Sequence, residues 1–168
     1  TYDIGENTLV PYLLDRKIKK IDYMIISHFD YDHVNGLLTV LEKLEVSKII
    51  IGKQGEENEQ YKQFKKLVNQ KNVTVLNVKK EDVVNIETDI KFNVLFPTSE
   101  LIQENVINNN SLVVKLEHKD FKMLFTGDIE EIAEERLLKL YDKEELKADI
   151  LKVPHHGSKT SSSQKFLE

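Results

Sequence analysis

Helical and extended spacings of apolar residues alternate along the first half of the chain. Apolar positions recur at helical spacing in residues 6–17, 32–45 and 57–71, and each of these segments precedes a short apolar, β-branched run: IDYMIIS, SKIIIGK and VTVLNV. Such short runs between helices are typical of buried strands. The first 78 residues therefore predict an α/β arrangement of three strands, each preceded by a helix.

The second half of the chain is dominated by strand patterns. Four apolar runs follow one another: VVNIE, IKFNVLFP, SLVVKLEH and FKMLFTGD. The last two are separated only by Lys119 and Asp120, which predicts a hairpin. A helix at residues 129–141, a strand at ADILKVP and the start of a helix at TSSSQKFLE complete the pattern. We therefore predict one domain, residues 1–168, of layered sheets with helices outside.

The composition of the chain limits the partners and the metal ligands that it can have. With 168 residues and a net charge of −5, the chain is long enough to bury a sizeable core and offers no broad basic face to a polyanion. No apolar run approaches the roughly 20 residues of a membrane span. Because the sequence contains no cysteine, any metal must be held by histidines and carboxylates. The absence of an initial Met and the final LE predict a fragment of a longer protein.

The segment IISHFDYDHVNGL concentrates metal-ligand side chains where a strand passes into a helix. His28 and Asp30 are two positions apart on extended chain and face the same side, and Asp32 and His33 begin the helix. The alternative is that one aspartate caps the helix and the histidines are surface residues. Capping needs only one such residue, so we predict that all four are ligands in two neighbouring metal sites.

Two further strand ends carry the same chemistry. KMLFTGD leads an apolar strand directly to Asp128, beside a glycine that permits close backbone approach, although a lone Gly-Asp is often only a turn. ILKVPHHGSKTSSS ends a strand at Pro154 and continues with His155 and His156. On extended chain these neighbours point to opposite sides, so one would bind metal and the other would orient a ligand or donate a proton.

These motifs carry a family resemblance. SHFDYDHVNGL resembles the first metal motif of the metallo-β-lactamase superfamily, normally His-x-His-x-Asp-His, while LFTGD and HHGSKTS resemble its later aspartate and histidine motifs. With Asp30 in place of the second histidine, and with NNNSLVVKLEHKDFKMLFTGD and LKVPHHGSKTSSS, residues 8–163 resemble the domain of this kind in ComEC/Rec2 DNA-internalisation competence proteins. The resemblance implies an αββα sandwich with a dinuclear metal site, and a nuclease that cuts the DNA strand that is not taken up.

The resemblance also implies the ligand set. His28 and Asp30 would bind one metal, Asp32 and His33 the other, Asp128 would bridge them, and either His155 or His156 would complete the site, with His156 preferred. The middle histidine of the superfamily has no counterpart, because that region reads INNNSLVVKLE and His118 lies at the predicted hairpin tip. An oxygen-rich set favours Mn²⁺ over Zn²⁺, so we expect two ions of manganese or zinc.

The expected mechanism is hydrolysis of a phosphodiester between two metals, which activate water and polarise the phosphoryl oxygen. Asp32 and Asp128 would fix the water and the metals, and His155, as the histidine outside the ligand set, would protonate the leaving group. Four residues on neighbouring loops would contact the phosphate backbone without reading bases: Asn110, Ser111, Ser158 and Lys159. Their alternative role is as ordinary turn and capping residues.

The resemblance sets further expectations outside this chain. Relatives begin several strands earlier, so we expect an N-terminally truncated sandwich with an exposed apolar edge, prone to dimerise or to bind metal poorly. The parent would be a membrane-embedded protein with this domain on its outer face, and its partner would be single-stranded DNA. Two other functions remain open: hydrolysis of a small phosphodiester or phosphocholine ester, and binding of DNA or a partner without turnover.

Overall fold

The computed structural model describes residues 2–168, which form six helices and eight strands. The helices are α1 (Val10–Asp15), α2 (Tyr31–Lys43), α3 (Glu59–Lys71), α4 (Glu131–Leu140), α5 (Lys143–Leu146) and α6 (Gln164–Leu167). The strands are β1 (Lys20–Ile26), β2 (Glu45–Gly52), β3 (Thr74–Val78), β4 (Val83–Glu87), β5 (Ile90–Phe96), β6 (Val113–His118), β7 (Phe121–Phe125) and β8 (Ile150–Lys152). A π-helical turn at Gly5–Leu9 leads into α1.

The strands form two sheets. The first has the order β1-β2-β3 with every pair parallel, and α2 and α3 connect successive strands. The second has the order β4-β5-β6-β7-β8, antiparallel except for the parallel pair β7-β8. The predicted hairpin is β6-β7, with Lys119 at its turn at φ 55°. The α/β first half and the strand-rich second half predicted from the sequence are confirmed.

Alternate residues of the strands face different layers. In β2, Ile49 and Ile51 pack with α2 and α3, whereas Ile50 faces the second sheet and packs with Leu112 and Val114. Because the side chains of a strand alternate between faces, the continuous apolar run of β2 can bury both of its sides. The first sheet is therefore covered by helices on one face and by the second sheet on the other.

The second sheet is covered in the same way on its outer face. Val113 points away from the first sheet and packs with Phe96 and with Ile129 and Leu137, at and within α4. The layers are thus helix, sheet, sheet and helix, which confirms the predicted αββα sandwich. Among residues 2–168, no helix has the length and apolar character needed to cross a bilayer.

Candidate metal centre

The carboxyl ends of β1, β7 and β8 meet at one edge of the sandwich. Strands β7 and β8 are parallel neighbours, with Phe125 beside Lys152, so the segments that follow them emerge side by side. The amide of Leu112 donates to the carbonyl of Ser27 at 2.7 Å, which ties the end of β1 to the start of β6. The three strand ends singled out in the sequence therefore face one another.

Gly127 allows the closest of these approaches. It has φ +57°, and a Cβ atom there would lie 2.6 Å from Cβ of Ser111 and 3.0 Å from Cβ of Ser27. The hydroxyl of Ser111 accepts a hydrogen bond from the amide of Asp128 at 3.1 Å. A side chain at residue 127 would push these segments apart, so the glycine fixes the position of Asp128 as well as the turn.

One atom from each of three side chains lies within 3.2 Å of the other two. Nε2 of His33 lies 2.9 Å from Oδ2 of Asp128 and 2.9 Å from Nε2 of His156, and His156 Nε2 lies 3.2 Å from the same carboxylate oxygen. Oδ2 of Asp32 lies 3.5 Å from His156 Nε2 and 3.8 Å from His33 Nε2. Residues from three separate strand ends thus point at one position.

These separations fit a metal ion. A tetrahedral ion with bonds of about 2.0–2.2 Å needs ligand atoms about 3.3–3.6 Å apart. The four atoms of Asp32, His33, Asp128 and His156 have separations from 2.9 to 3.8 Å among the pairs measured. A second group, His28, His33 and Asp128, also brings its ligand atoms within 4.8 Å of one another. The two groups share His33, so the centre can be described as two overlapping sites.

His28 provides an independent test of this fit. Its side chain is only 1% exposed, its Nδ1 lies 3.0 Å from the hydroxyl of Ser27, and its Nε2 is buried without a hydrogen-bond partner. A buried polar atom left unpaired costs about 1–3 kcal/mol. An orphaned imidazole nitrogen that faces the ligand cluster is the atom a metal would satisfy, and the N and O donors around it suit such an ion.

Burial and neighbouring charges adapt the titratable groups to this role. Burial, reinforced by the charge of His33, lowers the pKa of His28 to about 4, so this imidazole is neutral at pH 7 and able to bind a metal. Burial alone would raise the pKa of Asp128, but its hydrogen bond to His33 and the charges of His33 and Lys152 outweigh burial and hold the pKa well below its usual range. Asp128 is therefore ionised.

Asp30 lies at the periphery of the cluster. Its Oδ2 is 3.9 Å from His28 Nε2, and its side chain is 37% exposed. It stands at the N-cap position of α2 but makes no side-chain capping hydrogen bond, so capping does not account for it. Burial and the charge of Asp32 raise the pKa of Asp30. The predicted pairing of His28 with Asp30 on one side of the chain is thus present in the geometry.

The backbone after β8 differs from the sequence prediction. We expected extended chain at the double histidine, but His155, His156 and Gly157 all have left-handed conformations, with φ of 45°, 54° and 74°. Each such non-glycine residue costs about 1–2 kcal/mol, although histidine visits this region more readily than most residues. The strained turn still directs the two imidazoles apart: His156 enters the ligand cluster, and His155 Nε2 stays 4.0 Å from Oδ2 of Asp128.

His155 contacts acidic groups on both sides. Its Nδ1 lies 3.4 Å from Oε1 of Glu130, and its amide donates to the carbonyl of Gly127 at 3.2 Å. The loop that carries the double histidine is thereby tied to the turn that carries Asp128. His118, the other histidine near the middle of the chain, is exposed on the β6-β7 hairpin and lies outside the cluster.

The predicted phosphate-contacting residues have other contacts. Asn110 is buried, donates to the carbonyls of Ile102 and Val106 at 2.8 and 2.7 Å and accepts from the amide of Ile102 at 2.9 Å. Its amide therefore organises its own loop. Ser111 is buried against the Asp128 turn, and Ser158 contacts Thr160. Lys159 is exposed on the loop that follows the double histidine. Substrate contact by these four residues stays a prediction.

Sequence reasoning missed three residues that support the centre. Lys152 donates from Nζ to the carbonyl of Gly127 at 2.9 Å and lies 3.3 Å from Oδ1 of Asp128. Glu130 faces His155 and is held by Asn109. Lys152 could have been suspected because a charged residue ends an apolar strand just before the double histidine. The pairing of Asn109 with Glu130 leaves no signal in the sequence.

Comparison with known proteins bears directly on this geometry. A sequence profile described as the Metallo-beta-lactamase superfamily matches residues 2–168. The chain belongs to the metallo-β-lactamase superfamily. The three strand-end motifs therefore lie together at one edge of a metallo-β-lactamase domain, and their role as its metal ligands, with Asp30 in the place of the second histidine, stays a prediction.

Individual relatives of this superfamily member cover it almost completely. It is 32% identical to ComE operon protein 3 of Bacillus subtilis over 99% of its length and 27% identical to Recombination protein 2 of Haemophilus influenzae over 98%. It spans only 21% and 18% of those two proteins. Among solved structures, a mutant of the β-hydroxylase CmlA superposes with a TM-score of 0.53 at 12% identity, covering 80% of this chain and 26% of that one. That likeness supports the metallo-β-lactamase fold.

The centre is open to solvent on one side. The side chains of Asp32 and His156 are 66% and 58% exposed, whereas that of Asp128 is 3% exposed. The group of candidate ligands is thus buried at Asp128 and exposed at Asp32 and His156. A large substrate could reach the rim without entering a closed cavity.

Proposed function

We propose that this domain is a metal-dependent phosphodiester hydrolase that cleaves DNA without sequence preference during DNA uptake. The observation that carries the proposal is the convergence of His33, Asp128 and His156 within 3.2 Å of one another, beside the buried and unpaired Nε2 of His28. Structural histidines and aspartates of a core are normally satisfied by protein partners. A cluster left with an orphaned nitrogen at its base is better explained as a ligand set.

The residues divide between two metal positions, which manganese or zinc would occupy. His28, Asp30 and Asp128 would hold one ion, and Asp32, His33, His156 and Asp128 would hold the other. Two divalent ions would supply an activated water near neutral pH and positive charge for the phosphoryl oxygens. Three carboxylates among six ligands favour Mn²⁺.

The chain's own residues supply the rest of the chemistry. Asp128, buried and fixed by Lys152 and Ser111, sets the spacing of the ligands around it. His155 stands just outside the ligand cluster, with Nε2 4.0 Å from Asp128, where it can give a proton to the leaving oxygen. Lys159 and Ser158, on the loop that continues from the double histidine, are candidates to contact a phosphate group at the exposed rim.

DNA is the preferred substrate for two reasons. The exposed rim suits a polymer better than a small ester, because small-molecule sites usually enclose most of their ligand. Two of the matched relatives are ComE operon protein 3 and Recombination protein 2, and we infer that this domain belongs to a membrane-embedded competence protein, on the outer face. With a net charge of −5, its hold on the phosphate backbone must be local.

The test compares substrates on one preparation. Single-stranded DNA and a chromogenic small diester are each incubated with Mn²⁺, with Mn²⁺ plus excess chelator, and with the variant His33→Ala, which removes the imidazole that lies beside both Asp128 and His156. We expect Mn²⁺-dependent cleavage of DNA that chelator and the variant abolish. Hydrolysis of the small diester alone would reassign the substrate, and a domain that binds Mn²⁺ but cleaves neither would contradict the proposal.

A further inference from the structure

Glu130 is held rigidly at the start of α4. Its Oε1 accepts a hydrogen bond from the hydroxyl of Thr160 at 3.0 Å, and its Oε2 accepts from Nδ2 of Asn109 at 3.2 Å. Its own amide donates to Oδ1 of Asn109 at 2.9 Å. The side chain is only 16% exposed. Both carboxylate oxygens are therefore held by residues other than His155.

The imidazole of His155 lies between two carboxylates. Its Nδ1 is buried, has no hydrogen bond in the described part of the chain, and lies 3.4 Å from Oε1 of Glu130. Its Nε2 lies 4.0 Å from Oδ2 of Asp128. Both carboxylates can only accept, and Glu130 is the nearer of the two, so the N–H of the neutral ring belongs on Nδ1. Nε2 then carries the lone pair and faces the metal centre.

We propose that Glu130 is a positioning residue that fixes the tautomer and orientation of His155, so that Nε2 is the ring atom turned towards Asp128 and towards a substrate at the metal centre. The catalytic role of this contact rests on the proposed hydrolysis, whereas its geometry does not. When water attacks, a new P–O bond forms and the bond to the leaving oxygen breaks. In the proposed hydrolysis Nε2 of His155 would give a proton to the leaving oxygen and regain one that the attacking water releases through solvent.

Glu130 keeps its contact with the Nδ1–H of His155 throughout this exchange. Its carboxylate holds the orientation of the ring while Nε2 exchanges a proton, as in other sites where a buried acid orients a catalytic histidine. Removal of such an outer partner typically costs on the order of 10- to 100-fold in activity.

Glu134, one turn further along α4, shows what a purely structural acid does here. Its carboxylate is fully buried and accepts from the amides of Ser162 and Ser163 at 2.5 and 2.9 Å, which clamps the loop after the double histidine. Glu130 also contacts this loop through Thr160. Glu130 differs from Glu134 because it also faces an imidazole nitrogen that lacks a hydrogen bond. A purely structural role would not require that contact.

The first experiment separates leaving groups. Glu130→Gln should lower kcat on single-stranded DNA by about 10- to 100-fold with KM changed less than about twofold, because an alkoxide needs a proton as it leaves. Bis-(p-nitrophenyl) phosphate releases a phenolate that needs none, so its kcat should fall less than about threefold. The exposed Glu131→Gln should change neither, whereas Glu134→Gln should lower both together with thermal stability. Equal losses of kcat for both substrates in Glu130→Gln would overturn the proposal.

The second experiment needs no activity. In the metal-free chain, ¹⁵N chemical shifts of the histidine rings should show His155 as the Nδ1–H tautomer, and Glu130→Ala should shift it towards Nε2–H. Calorimetric Mn²⁺ affinity should stay within about twofold in Glu130→Gln, because Glu130 contacts no residue of the ligand cluster other than through His155. An Nε2–H tautomer in the unaltered chain, or a weakened Mn²⁺ affinity, would refute the assignment. A chain that hydrolyses neither substrate would fail the proposed function, while the tautomer would still decide the role of Glu130.

Discussion

His28 should make the stability of the metal-free domain depend on pH in a predictable direction. Burial lowers its pKa from 6.5 to about 4 in the folded chain. Above pH 6.5 neither the folded nor the unfolded state binds this proton, so the group contributes nothing. Between pH 6.5 and 4 only the unfolded state binds it, and below pH 4 both states do. The free energy of unfolding must therefore decrease as pH falls through this window.

The magnitude follows from the size of the shift. A full difference of one proton changes the free energy of unfolding by about 1.4 kcal/mol per pH unit. Integrated between pH 7 and 4.5, His28 should remove about 2 kcal/mol, a large part of a typical stability of about 5–15 kcal/mol. The side chain is 1% exposed, so solvent screens this effect little. Asp30, whose pKa is raised, contributes with the opposite sign, because its folded form binds the proton more readily.

Comparison with a variant isolates His28 from these other groups. Urea unfolding followed by circular dichroism, with chelator present, should show that His28→Asn loses about 2 kcal/mol less than the unaltered chain between pH 7 and 4.5. Asn can keep the contact to Ser27 but cannot titrate. His118→Asn, at the exposed hairpin tip, is the matched control and should leave the pH dependence unchanged. Parallel losses in the unaltered chain and in His28→Asn would refute the argument.

Three further predictions concern the centre and its supports. Asp128→Asn keeps the turn and the hydrogen bond to Ser111 but removes the charge that faces His33, so Mn²⁺ affinity by calorimetry and turnover should fall on the order of 10²-fold; near-normal values would reduce Asp128 to a turn residue. At equal occupancy Mn²⁺ should support more hydrolysis than Zn²⁺, and activity that survives excess chelator would contradict metal dependence. Gly127→Ala, with a Cβ 2.6 Å from Ser111, should cost about 1–3 kcal/mol in urea unfolding, more than Gly157→Ala, whose Cβ would meet only Val153 at 3.8 Å; equal costs would contradict this reasoning.

The sequence predicted that the candidate ligands would lie together, but it did not predict the shape of the backbone that presents them. His28, Asp32, His33 and Asp128 follow apolar runs, and parallel or adjacent strands bring their carboxyl ends to one edge. The left-handed pair at His155 and His156 could not be inferred, because only glycine signals that conformation strongly. The extended chain that we expected there was wrong, although it separated the two imidazoles as the strained turn does.

The residues that support the cluster could not be predicted from the sequence for a different reason. The run INNNS contains three asparagines that look alike in a sequence, yet Asn109 binds Glu130 and Asn110 binds its own loop. Which of them points where depends on the turn at Asn108–Asn110, in which successive side chains take different directions. Glu130 likewise contacts a residue that lies 25 positions away in sequence, His155, and no local pattern predicts that contact.

The contacts around the cluster hold its candidate ligands in place without a metal ion. Lys152 and Ser111 hold Asp128, the carbonyl of Gly127 holds the amide of His155, and Glu134 clamps the loop that follows the double histidine. A site whose ligands are fixed in this way spends little binding energy on ordering side chains, so metal affinity depends mainly on donor chemistry. The choice between Mn²⁺ and Zn²⁺ should therefore follow the ratio of carboxylate to imidazole ligands. Asp30 raises that ratio, because it replaces a histidine of the superfamily motif with a carboxylate.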